Sequence, residues 1–212
     1  KNVILDLSEV EWSHELPMLP IDMTHVTHLY MKDCAFTSQH SAFLQRFPHL
    51  KELDLSDNHL DTLPEPIAAM RQLRAIDLSG NRIVLDDSAV DRLRQLSRLR
   101  LIYLADNPLG RAPDISRMPE LDEIDLSRTG LNEWPIGLFA QERGALFHLH
   151  LTGNPISTIP DVATHSDEAF ILVYTRLDRA TLSAQARDVW DEHKIAFGMD
   201  PYRTYPPKGE SD

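Results

Sequence analysis

A chain of 212 residues, set against about 150 per domain, leaves room for one domain or two. Its 42% hydrophobic and 25% charged residues exclude collagen-like, disordered and multi-span membrane classes. Thirty-three acidic against 21 basic side chains give a formal charge of -12, the wrong sign for gripping a phosphate backbone, and no long Lys/Arg run offsets it. Cys34 is the single cysteine, so no internal disulfide forms and nothing asks for an oxidising compartment. No apolar stretch is long enough to span a membrane, and the N-terminus lacks the basic-then-apolar plan of a signal peptide. The chain starts at Lys1 rather than at methionine, so a longer parent protein is expected.

Leucine is abundant, at 30 residues, and it recurs with a period. A frayed copy stands at Leu5, Leu7, Val10 and Trp12, followed by Val26, Leu29, Met31, Cys34 and Phe36. The pattern Leu-x-x-Leu-x-Leu-x-x-Asn-x-Leu then fits at Leu50, Leu53, Leu55, Asn58 and Leu60, and again at Leu73, Ile76, Leu78, Asn81 and Ile83. It returns at Leu99, Ile102, Leu104, Asn107 and Leu109. Leu121, Ile124, Leu126, Thr129 and Leu131 change only the polar position. Leu146, Leu149, Leu151, Asn154 and Ile156 make another clean copy, and Phe170, Val173, Thr175, Asp178 and Ala180 a last degenerate one. At the second apolar position the steps are 24, 24, 23, 26, 22, 25 and 24 residues, the leucine-rich-repeat period.

Each copy reads as a short strand with alternate residues turned inward, then a turn and a helical or 3₁₀ return. The Asn is expected to be buried, its amide satisfying backbone groups of the turn. Asn107-Pro108 and Asn154-Pro155 fit that reversal. In the returns, Leu63-Pro64 leads to Ile67, Met70 and Leu73; Ala112-Pro113 to Ile115 and Met118; Trp134-Pro135 to Leu138; Ile159-Pro160 to Val162. Asp87-Ser88 opens a capped helix through Val90, Leu93 and Leu96. Residues 183–194 predict an amphipathic helix with Ala186, Val189, Trp190 and Ile195 on its inner side, stopped at Gly198. It would cover the last core layer, which a solenoid otherwise exposes. The predicted architecture is an α/β leucine-rich-repeat solenoid, a horseshoe with a parallel concave β-sheet, short convex returns and a C-terminal capping helix. Its parts are 1–24 (partial repeat or cap), 25–180 (repeats), 181–198 (capping helix) and 199–212 (proline-rich linker).

Strand alternation gives the concave side chains as columns. One holds Asp6, Tyr30, Asp54, Asp77, Tyr103, Asp125, His150 and Tyr174. Its neighbour holds Ile4, His28, Glu52, Ala75, Leu101, Glu123, His148 and Leu172, and a third holds Ser8, Lys32, Ser56, Ser79, Ala105, Ser127, Thr152 and Arg176. Two patches follow. Glu52, Asp54, Asp57 and Asp77 are acidic, with Asp33 and Asp106 at the margins; Tyr103, Glu123, Asp125, His148, His150 and Tyr174 mix aromatic and imidazole groups with carboxylates. The plain reading is a solvated face. The sharper one is a docking surface for a protein partner with a basic surface, steered by the carboxylates and anchored by Tyr103, Tyr174, His148 and His150.

Enzymatic readings are poorly supplied. His148 and His150 share a strand face, yet that spacing arises on any solvated strand, so no metal site is expected; a pH-responsive His–carboxylate pair fits better. Cys34 fills the buried polar slot of its repeat and is expected to be structural. Ser56, Ser79 and Ser127 stand in a repeat column without a nucleophile elbow, and no P-loop, dinucleotide fingerprint or HExxH occurs. No cofactor, nucleic-acid or membrane partner is expected.

Several phrases narrow the class. GNRIVLDDSAVDRLRQLSRLRLIYLADNPLG (80–110), RMPELDEIDLSRTGLNEWPIGLF (117–139), LHLTGNPIS (149–157) and TLSAQARDVWDEH (181–193) are similar to the repeat domain of bacterial proteins with a C-terminal novel-E3-ligase (NEL) domain. That family includes secreted effector ubiquitin ligases. The resemblance implies a substrate-recognition and regulatory domain of a larger E3 ubiquitin-protein ligase, in contact with a catalytic domain that carries a Cys-x-Asp motif. Cys34 is followed by Ala35 and Phe36, so that motif is absent here and this chain is not expected to be an enzyme. The implied location is the bacterial cytoplasm, or a host cell for an effector. The alternative is a stand-alone leucine-rich-repeat scaffold or partner-binding protein with no ligase domain.

Overall fold

The computed structural model describes residues 1–11 and 22–203, so Trp12 and the tail beyond Arg203 lie outside the described residues. Seven three-residue strands form one parallel sheet in sequence order: β1 (Ile4–Asp6), β2 (His28–Tyr30), β3 (Glu52–Asp54), β4 (Ala75–Asp77), β5 (Leu101–Tyr103), β6 (Glu123–Asp125) and β7 (His148–His150). The register pairs Leu5, Leu29, Leu53, Ile76, Ile102, Ile124 and Leu149 in one continuous row. This is the row the repeat spacing predicts. Each of these side chains from Leu29 onward is at most 2% exposed, because period-2 alternation turns it into the stack.

Beyond each strand the chain turns sharply. Glu9, Asp33, Asp57, Asp106 and Arg128 take positive φ at one repeat position, and Gly80 and Gly153 occupy it in two further copies. Asp tolerates this left-handed backbone better than most residues, which is why few glycines suffice. Asn58, Asn81, Asn107 and Asn154 are buried under these turns as expected. Asn58 Oδ1 accepts from Cys34 N and Phe36 N at 2.9 and 3.0 Å, while its Nδ2 donates to the carbonyls of Met31, Leu55 and Ser56. Each such amide therefore ties one repeat to the one before it. Cys34 is fully buried, its thiol donating to Leu7 O at 3.0 Å.

The returns are 3₁₀ helices at Ser38–Arg46 and Glu65–Ala69 and helix α1 (Asp87–Arg94), whose N-cap Asp86 accepts from Ala89 N. The inward residues Ile67, Met70 and Leu93 of these returns, with Ile115, Met118 and Leu138 of the non-helical returns after β5 and β6, join the leucines in one core. Helix α3 (Ala184–Ala196), capped by Ser183, buries Trp190 against the last repeat and ends at Gly198 with φ 71°.

Four expectations are corrected. Residues 170–174 form no eighth strand: Ser166 caps helix α2 (Asp167–Val173), whose first turn carries Asp167 and Glu168, so the degenerate copy folds as a helix against α3. In the repeat 146–156 the inward position belongs to Phe147, under the Arg143 guanidinium, and Leu146 is 78% exposed. On α3, Val189 and Ile195 face outward, and His193 and Lys194 are buried in their place. The third column does not lie fully on the concave surface, since Ser56, Ala105 and Ser127 are buried.

Candidate functional site

The concave ladders form as the alternation requires. Asp6, Tyr30, Asp54, Asp77, Tyr103, Asp125 and His150 pair in register, and so do Ile4, His28, Glu52, Ala75, Leu101, Glu123 and His148. Adjacent rungs stand about 4.8 Å apart. Tyr174 does not join them: it caps α2 and packs on Phe170 at 4.7 Å, and Arg176 takes the bridge position beside His150. Tyr174 is thereby removed from the strand ladder.

The acidic rungs have a structural role that the sequence reading did not assign. Asp54 Oδ1 accepts from Ser56 N at 2.9 Å and Ser56 Oγ at 2.6 Å. Asp77 and Ser79, and Asp125 and Ser127, repeat the arrangement. The Asp-x-Ser turn closes these three strand ends, each serine hydroxyl donating to the carboxylate two residues before it. This turn employs Oδ1 of each carboxylate. Asp54 and Asp77 are direct cross-strand partners, and the Asp77 carboxyl is raised above its ordinary range by burial, with Asp54 and Asp57 adding to the effect. Two other carboxylates are partly neutralised: Asp106, at the margin, is held by Arg128 at 2.7 and 3.0 Å, and Asp57, within the patch, lies 3.7 Å from Lys32.

Two clusters of like composition flank this acidic centre. In the first, Tyr30 Oη donates to Glu52 Oε2 at 2.7 Å and His28 Nε2 lies 3.8 Å from Glu52 Oε1. Burial and the Glu52 carboxylate push the Tyr30 phenol up to about 12. In the second, Glu123 gathers Tyr103 and His150, whose Nε2 is 3.7 Å away. The nearby His150 imidazole holds the Glu123 carboxyl below the usual carboxylate range, helped by Tyr103 and opposed by burial. Burial and Glu123 raise the Tyr103 phenol further still. His148 stacks on His150 with centroids 6.3 Å apart, and burial lowers its pKa against the pull of Glu123.

The expected mixed patch is therefore assembled at Tyr103, Glu123, Asp125, His148 and His150, with Glu123 rather than Asp125 as the partner of His150. Glu52 belongs to a Tyr–Glu–His group of its own, and His28 and Tyr30 were missed as site residues. Their signal was present, since both stand in the same two columns as His148 and Tyr103. A row of cations was also missed: Lys51, Arg74 and Arg100 line an open groove at the N-terminal ends of β3–β5. Among the described residues no group of three or more His, Cys, Asp and Glu is placed to hold a metal ion. No helix among them is long and apolar enough to cross a membrane. A larger groove of 710 Å³ lies apart from the ladders, between the returns at Leu44, Pro64, Met70 and Ala89.

The comparisons agree with this geometry. A leucine-rich-repeat family model matches residues 24–83. The human PH domain leucine-rich repeat-containing protein phosphatase 1 is 30% identical over 128 residues, 60% of this chain and 7% of that protein. A protein phosphatase 1 regulatory inhibitor subunit PPP1R7 homolog from Arabidopsis thaliana is 31% identical over 118 residues, 54% of this chain and 35% of that protein. The chain thus spans a minor part of both relatives. The leucine-rich-repeat protein LIC12759 of Leptospira interrogans superposes with a TM-score of 0.52 at 23% identity, covering 76% of this chain and 43% of that one. With its in-register leucine row, its buried asparagines and its parallel sheet, this chain has the leucine-rich-repeat fold, and its residues 24–83 match that family's model.

Proposed function

We propose that this chain is a protein-binding module and the substrate-recognition and regulatory domain of a larger bacterial E3 ubiquitin ligase. The concave face is its docking surface, through Glu52, Asp54, Asp57, Asp77, Tyr103, Glu123, Asp125, His148 and His150. One observation carries the binding part: Asp54 and Asp77 stand in register on adjacent strands, with Asp57 close enough to raise the Asp77 carboxyl. Like charges so placed cost stability in the free protein, and a basic partner relieves that cost while gaining on-rate from the field. Tyrosines and histidines beside the charge supply contact area that interfaces favour. A relative named as a regulatory inhibitor subunit of a phosphatase supports a partner-binding role. Support for the ligase part is the likeness of 80–110, 117–139, 149–157 and 181–193 to the NEL proteins' repeat domain.

The double substitution Asp54→Lys and Asp77→Lys tests the surface. Capture of the ligase substrate should be lost while the circular dichroism spectrum stays that of the parent; unchanged capture would move the interface off this face. For the ligase part, the open reading frame past Asp212 should encode a helical domain with a Cys-x-Asp motif. A stop codon soon after that point, or ubiquitin discharge by this chain alone, would overturn it.

A further inference from the structure

The residue just before the first concave position of each strand is Lys51, Arg74 and Arg100 in three successive copies. In sequence these cations are more than twenty residues apart, so no basic run announces them. Parallel pairing brings them onto neighbouring rungs. Their backbones are tied together, Arg74 N donating to Lys51 O at 2.8 Å and Arg100 N to Arg74 O at 2.7 Å, so the row is fixed by the sheet itself. All three line an open groove of 360 Å³ with His28, Glu52, Ala75, Leu101 and Asp122.

Ala75 shapes that groove. It is the smallest side chain of its column, between Glu52 and Leu101, so the floor drops across a gap of about 10 Å, two strand spacings. The charges around it are unevenly matched. Arg100 already grips Asp122 through Nε and Nη2 at 3.0 and 2.8 Å. Glu52 accepts from Tyr30. Among the described residues no carboxylate stands within 4.0 Å of Lys51 or Arg74, although acidic side chains outnumber basic ones 33 to 21 over the chain. Three strand residues further on lies the opposite charge: Lys51 precedes Asp54, and Arg74 precedes Asp77. The face is therefore dipolar, with cations at one rim and carboxylates about 10 Å away at the other.

We propose that this hollow seats an aspartate or glutamate side chain of the docked protein, so that the partner segment is itself dipolar. This rests on the concave docking reading and adds its polarity and register. An Arg guanidinium offers a carboxylate two parallel donors, and Lys51 adds a point charge beside it. The partner's acidic and basic groups must then stand about 10 Å apart: three residues in an extended segment or seven along a helix. A purely basic segment would meet Lys51 and Arg74 as like charges, which gives the face a way to reject partners that the acidic ladder alone would accept.

The test uses the whole chain and a displayed library of random twelve-residue peptides. Enriched sequences should pair Asp or Glu with Lys or Arg at that spacing. Arg74→Glu should weaken the selected peptides at least tenfold, and replacing the peptide's acidic residue by lysine should restore binding to this variant. Arg74→Ala, with an unchanged thermal melt, should give an intermediate loss. Enrichment of basic residues without acidic ones, or affinities within twofold for Arg74→Glu and Lys51→Glu, would overturn the proposal. If Asp54→Lys with Asp77→Lys still abolished binding in that case, the acidic face would stand and only the hollow would fall. Displacement of the peptides by a single-stranded oligouridylate, but not by an acidic peptide, would equally overturn it.

Discussion

Replacing Asn58 by alanine probes the element on which the whole stack depends. It is 6% exposed, and its side-chain amide meets five backbone groups of two successive repeats, two N–H groups shared among three carbonyls and two amides on Oδ1. Counted as four bonds at about 1 kcal/mol net each, the scale is about 4 kcal/mol, with stranded buried amides adding to it and water entry subtracting. A loss of about 4 kcal/mol is expected, large for a single substitution. Urea titration followed by far-ultraviolet circular dichroism and by tryptophan fluorescence would read it. The two probes also show whether unfolding remains concerted or begins at the weakened junction, as repeat arrays allow. A loss under about 1 kcal/mol would refute the idea that the amide joins repeats, and would leave the leucine row alone to explain the stack.

Three further outcomes are expected. Because Asp77 has its carboxyl raised in the folded state, the native chain binds its proton more readily than the unfolded chain, and ionisation costs stability as pH rises through the folded value. Asp77→Asn should therefore melt higher than the parent at pH 7, and the gap should close as pH falls toward the ordinary carboxylate range; a lower melt at pH 7 contradicts this. Gly137→Ala places a Cβ 2.6 Å from Ser116 Cα at a φ of +74°, so a loss of about 3 kcal/mol in urea unfolding is expected. Gly110→Ala, whose nearest contact is Val84 Cγ1 at 3.7 Å, should lose only about 1 kcal/mol. Trp190→Ala empties a site 2% exposed and should cost about 4 kcal/mol. Hydrogen exchange should then accelerate in α2 and α3 while β2 and β3 stay protected, and uniform acceleration would refute α3 as a local cap.

The leucine row was legible because strand alternation and a buried Asn repeat at fixed spacing, and each copy reinforces the next. Helix α2 was not, because Phe170, Val173 and Thr175 keep the spacing of the repeat, while the helix buries Ala169, Leu172 and Val173; the deciding signal, Ser166 with Asp167 and Glu168, lies upstream of the apolar residues. Leu146 matched the pattern by identity, yet the neighbouring Phe147 offers more apolar surface and takes the buried position. The concave columns could be written down before any coordinates. Their pairings could not, since Glu123 meets His150 diagonally rather than straight across. Lys51, Arg74 and Arg100 escaped because a charge that occurs once per repeat forms a patch only after the chain has coiled.

Photo-cross-linking of a bound peptide tests the central claim most directly. Benzoylphenylalanine would replace Tyr103 on the concave face in one variant and Val84, 52% exposed beside the outer groove, in another. A covalent adduct from position 103 and none from position 84 is the expected result. An adduct from position 84 alone would place binding on the convex side and contradict the concave face as the docking surface.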